Sequence, residues 1–175
     1  MNRNNYSPRT IRGHSLIECC IVLMLLACII GIAITQSSFL HSLHVQSEAR
    51  ALCAMARYLQ QRALSTNTVQ TLSFDLEQHT YTGNGQCHRF PISIRFDWIP
   101  GAAGPPSAPH SPITTACSFA NNFIHFWPDG MMTAGTVYLS DTKKTCGYAL
   151  SSGIGSVSCL RLYHYNRGTW SLYHD

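Results

Sequence analysis

One carboxylate, Glu18, stands inside the apolar run LIECCIVLMLLACIIGIAI (16–34), and three arginines, Arg3, Arg9 and Arg12, precede it. From Cys19 to Ile34 no charge follows. A carboxylate placed in hydrocarbon costs about 2.5–3.5 kcal/mol on insertion scales and marks a function with a positive partner. Eight cysteines offer a second chemistry. Cys19, Cys20 and Cys28 lie in the apolar run and Cys53 follows it, whereas Cys87, Cys117, Cys146 and Cys159 are spread over the polar remainder. Four spaced cysteines in an exported domain read as two disulfides, with three connectivities open. No C-x-x-C pair outside the apolar run suggests zinc.

The nine histidines supply no further centre. His41 and His44 stand one helical turn apart, but spacing places no third ligand, so no metal site is expected. Ser, His and Asp abound without a spacing that defines a triad, which is a spatial arrangement. SGIGS (152–156) lacks the lysine of a phosphate loop. No catalytic residue, no cofactor and no enzymatic activity are therefore expected.

The elements that must position these residues follow from composition and pattern. The chain has 175 residues, 11% of them charged, with a formal net charge of +4. Beyond the three leading arginines, nine Lys or Arg stand against eight Asp or Glu, so the body is nearly neutral. A polyanionic partner is not favoured on charge. At about 1.5 Å per residue the uncharged run reaches roughly 24 Å, and adding Leu16 and Ile17 brings it towards a bilayer core of about 30 Å. The basic flank holds the N-terminal side in the cytoplasm and exports the remainder. An ordinary secretory signal, cut after Ala33 or near Gln36, is the plainer alternative, but it leaves Glu18 unexplained.

Further on, Val45, Ala49, Leu52, Met55, Ala56, Leu59 and Ala63 recur at three- and four-residue steps, the stripe of an amphipathic helix packed on a sheet. Beyond Ser65 the signals turn to β: TVQTLSF (68–74), PISIRFDW (91–98), NFIHFW (122–127), GTVYLS (135–140), GYALSS (147–152) and VSCLRLYHY (157–165). Gly83-Asn84-Gly85, Pro128-Asp129-Gly130 and Gly153 punctuate them. The five prolines of PGAAGPPSAPHSP (100–112) require an irregular loop. On this reading Cys146 pairs with Cys159 across the Gly153–Gly155 connection, and Cys87 with Cys117 around the Pro-rich stretch.

RGHSLIE (12–18) resembles the class III signal of type IV pilins and type II secretion pseudopilins, and FWPDGMMTAGTVYLS (126–140) resembles a segment of the GspH/FimT branch of that family. The resemblance implies an α+β fold with a long N-terminal helix on an antiparallel β domain. It also implies a leader over 1–13, a transmembrane helix over 14–35, an amphipathic extension over 36–65 and a periplasmic β domain over 66–175. Prepilin peptidase would cut between Gly13 and His14, His14 would be N-methylated, and Glu18 would be the fifth mature residue. His14 departs from the usual Phe. A free α-amine in lipid needs a negative partner and a buried carboxylate a positive one, so neighbouring subunits satisfy each other through Glu18.

The implied partners are the other pseudopilins or minor pilins, the peptidase and the inner membrane, with no cofactor. The leading expectation is a minor pseudopilin of type II secretion; the alternative is a FimT-like minor pilin of a type IV pilus that aids DNA uptake. A membrane-anchored β domain that never assembles is a third. The GR-x-R segment linked to DNA binding in FimT-type pilins is replaced here by Gly155-Ser156-Val157-Ser158. Lys143, Lys144, Arg161 and Arg167 remain, near Tyr163, Tyr165 and Trp170, and read as a solvated sheet face.

Overall fold

The structure, a computed structural model, describes residues 16–104, 111–153, 159–166 and 168–173, with the backbone alone for 32–41. The chain divides into two compact units, Met1–Phe39 and Leu40–Asp175. The fold is α+β, with one α-helix, one short 3-10 turn and two antiparallel sheets among the described residues.

Helix α1 runs over Leu16–Thr66. It ends where Asn67 takes a left-handed conformation (φ 51°), which a short polar side chain tolerates, as in a helix C-terminal cap. The Ser65 and Thr66 hydroxyls donate to the Arg62 carbonyl at 3.1 and 2.7 Å, side-chain bonds back onto the backbone of the last turn.

In the larger unit the stripe anticipated on this helix is the inner wall of the core. Val45, Ala49, Leu52, Ala56, Leu59 and Ala63 are fully buried, Met55 packs against them, and Cys53 joins them. They face the inward side chains of one continuous core: Leu72, Phe74, Ile124 and Phe126 from one sheet, Val137, Leu139, Leu150 and Leu162 from the other.

The first sheet comprises β1 (Gln70–Asp75), β2 (Thr80–Gly83), β3 (Gln86–Arg89) and β5 (Phe123–Phe126) in the order β3-β2-β1-β5. The second comprises β4 (Ile94–Arg95), β6 (Gly135–Asp141), β7 (Gly147–Ser152), β8 (Leu160–Asn166) and β9 (Thr169–Leu172) in the order β4-β6-β7-β8-β9.

The turns are chemically specified. Asn84 and Gly85 both have positive φ (53° and 75°), the type I′ requirement that Asn-Gly meets in a two-residue hairpin between β2 and β3. At Pro128-Asp129-Gly130 the Gly130 amide donates to the Trp127 carbonyl at 3.0 Å and the Met131 amide to Asp129 Oδ1 at 2.9 Å. Between β6 and β7 the buried Asp141 accepts from the Thr145 and Cys146 amides at 2.7 and 2.9 Å and from the Thr145 hydroxyl at 2.8 Å.

Several expectations change here. PISIRFDW was expected as a strand, yet only Ile94–Arg95 pairs. The Ile94 amide donates to the Pro91 carbonyl at 2.9 Å, which turns the chain and ejects Ile92, 93% exposed, at the apex. Three strands, β2, β3 and β9, were not anticipated. The residues of β3 are all exposed, and β2 and β9 are four-residue segments, too short for an alternation to register.

Candidate functional site

The feature that most constrains function lies in the smaller unit. From Leu16 to Gly31 every residue of α1 is exposed, on every face of the helix. Leu16 is 82% exposed and Met24 73%, with Leu23, Leu25, Ile29 and Ile30 similarly open. A helix that is apolar all round belongs inside a large protein core or a bilayer. Glu18 is the sole ionisable carboxylate of this stretch and lies in the first turn of α1. With Cys19, Val22 and Leu23 it lines an apolar concavity of about 470 Å³. Among the described residues no helix is long and apolar enough to cross a membrane. The described side chains of the run stop at Gly31, while the sequence continues apolar through Ile32, Ala33 and Ile34, within the helix. Gly13 and His14, the expected cleavage and methylation positions, lie outside the described residues.

The expected disulfides are corrected: Cys87, Cys117, Cys146 and Cys159 are all free thiols. In the β7–β8 ladder Gly147 faces Tyr165 and Ser152 faces Leu160. Cys146 therefore sits at one end of the ladder and Cys159 at the other, about 20 Å apart at roughly 3.3 Å per residue. A disulfide requires Cα atoms within about 7 Å. Cys87 is exposed on β3 of the first sheet, whereas Cys117 is buried against Val137 of the second.

Cys146 has neighbours that sequence did not reveal. Its sulfur lies 3.8 Å from His164 Nε2 and 3.6 Å from the Ser42 hydroxyl, and His164 stacks on Tyr148 at 4.8 Å. A Cys–His pair is a nucleophile only if the thiolate forms. Here burial pushes the Cys146 thiol up and the His164 imidazole down, both of which disfavour the thiolate–imidazolium form. No sequence spacing signals it, because 18 residues and a sheet ladder separate the partners. His44 is exposed on α1, and His41 has no described side chain. Among the described residues no three His, Cys, Asp or Glu side chains group closely enough to hold a metal.

Among the described residues, Lys144 and Arg161 near the C-terminal aromatics do not converge. Lys144, in the β6–β7 turn, pairs with Asp97 at 2.8 Å, while Arg161 lies opposite Ser151 towards the far end of the ladder. The Trp170 indole donates to the Ala103 carbonyl at 2.9 Å and packs between Tyr138 and Tyr165. Arg167 and Gly155-Ser156-Val157-Ser158 lie outside the described residues.

Compared with known proteins, the chain matches no family model, no curated protein and no solved structure.

Proposed function

We propose that the chain is a minor pseudopilin of type II secretion, a pilin-like subunit anchored in the inner membrane that joins a short filament with its β domain in the periplasm. The observation that carries this reading is the first part of α1: apolar and exposed on all faces, with one carboxylate, Glu18, near its start. Such a surface is stable only when covered by lipid or by other helices, and a carboxylate in either setting requires a positive partner.

The sequence supplies the rest of the case. Arg3, Arg9 and Arg12 fix the cytoplasmic side, Leu16–Ile34 approaches bilayer length, and Gly13-His14 stands four residues before Glu18. In this reading cleavage frees the α-amine of His14 on one subunit, and Glu18 of a neighbour neutralises it. The antiparallel β domain, with α1 as one wall of its core, is compatible with a pilin-like subunit. Among the described residues Lys144 and Arg161 lie apart, which lends the DNA-uptake alternative no support.

The test is Glu18→Gln, which keeps shape and removes charge. The variant inserts and is processed as the wild type, and its crosslinks to neighbouring subunits fall by more than about 100-fold, as expected when one partner of a buried ion pair is lost. Wild-type crosslinking in Glu18→Gln contradicts the pairing.

A further inference from the structure

We propose that the cleft between the β2–β3 end of the first sheet and β4 of the second binds a carboxylate carried on an apolar body, with Arg89 and Arg95 as the anion clamp and His79 beneath it. The inference is independent of the filament reading.

Three observations meet at this place. His79 holds a left-handed backbone (φ 52°) in the β1–β2 turn, a conformation uncommon for any residue with a side chain, and its Nδ1 is buried without a hydrogen-bond partner among the described residues. Strained backbone and an orphaned buried polar atom each concentrate at working sites. The position is fixed from both sides: the Phe90 amide donates to the His79 carbonyl at 3.1 Å, and Arg89 lies opposite Thr80 in the ladder. Beside His79 opens a cleft of about 620 Å³ lined by Arg89 from β3 and Arg95 from β4. Arg95 is close enough that its charge, after burial, lowers the His79 imidazole, while Asp97 and Asp75 act in the opposite sense.

The lining selects the ligand. Arg89 and Arg95 are exposed, and among the described residues neither forms an ion pair. A guanidinium presents a planar fork of donors that matches a carboxylate. Glu77 is the carboxylate in the lining, and Asp97, outside it, is engaged by Lys144. Two cations against one anion suit a monoanion better than a phosphate dianion, which Glu77 repels. The rest of the lining is Gln78 with the apolar Phe90, Pro91, Ile94 and Ile92, the last with its side chain projecting into solvent at the cleft. A free peptide C-terminus following apolar residues and a short acyl carboxylate both carry this chemistry.

The experiment is titration calorimetry on the full chain with N-acetyl-Leu-Phe, its C-terminal amide, hexanoate and inorganic phosphate, alongside NMR of the His79 imidazole. The free acids bind saturably, and the tighter of dipeptide and hexanoate identifies a peptide or an acyl source. The amide binds at least tenfold more weakly than the acid. Arg89→Gln and Arg95→Gln, at exposed positions that leave the fold intact, each weaken the acid by about tenfold. Acid binding raises the His79 imidazole, which the amide does not. His79→Asn, which tolerates the left-handed backbone, assigns that resonance. Failure of the acids to bind, equal binding of acid and amide, equal binding of phosphate, or full affinity in both arginine variants overturns the proposal.

Discussion

Single side chains in this molecule are set by neighbours that sequence spacing does not disclose. Gly135 opens β6, and a Cβ built there would stand 2.5 Å from the ring of the buried Phe119. Gly135→Ala should destabilise the chain by about 1–3 kcal/mol in urea unfolding, as overpacking does, whereas Gly153→Ala, with nothing within 4 Å, should change it by less than about 0.5 kcal/mol. The imidazoles of His79 and His164 are held below their ordinary value of 6.5 chiefly by burial. The unfolded chain thus binds more protons just below that pH, and stability falls as pH drops from about 6.5 through the folded values. Urea midpoints at pH 7.5 and 5.5 check this, and His164→Phe, which keeps the stack on Tyr148, should flatten part of the slope. Burial also raises the thiols of Cys117 and Cys146. A maleimide should label Cys87 and Cys159 in the native chain, and Cys53, Cys117 and Cys146 only in denaturant; a Cys146–Cys159 peptide in non-reducing mapping would contradict the β7–β8 register.

At the scale of elements, the helix was the most legible part. A stripe at 3.6-residue period has one physical use, and its residues from Val45 to Ala63 line the core. Leu52→Ala should cost about 2–5 kcal/mol by the cavity it leaves, while Leu64→Ala, at an exposed position of the same helix, should cost little; chemical unfolding of the two variants separates them. The apolar strands β1, β5, β6, β7 and β8 were legible from their alternating or continuous apolar runs. The hairpin of β2 and β3 was legible only at its turn, Gly83-Asn84-Gly85, because Gln86–Arg89 buries nothing. Missing that hairpin hid the cleft, since pairing across it is what brings Arg89 beside His79. The disulfides failed for a related reason. Cys146 and Cys159 begin successive strands of an antiparallel pair, and the starts of two such strands lie at opposite ends of their ladder.

At the scale of the whole molecule, the charge pattern and the apolar run organise the account. Three of the four net positive charges lie on Arg3, Arg9 and Arg12, before an exposed apolar helix. The β domain is nearly neutral and satisfied by its own core. That division suits a subunit whose assembly is driven through its N-terminal helix while the domain presents a surface. The proposed role therefore depends on how the N-terminus is made. The most direct measurement is the mass of the mature N-terminal peptide from membrane-extracted protein. The account predicts a chain beginning at His14, with or without a methyl group, cut after Gly13. A chain beginning near Gln36 would mean an ordinary signal peptide, remove Glu18 from the mature protein, and contradict the pseudopilin reading.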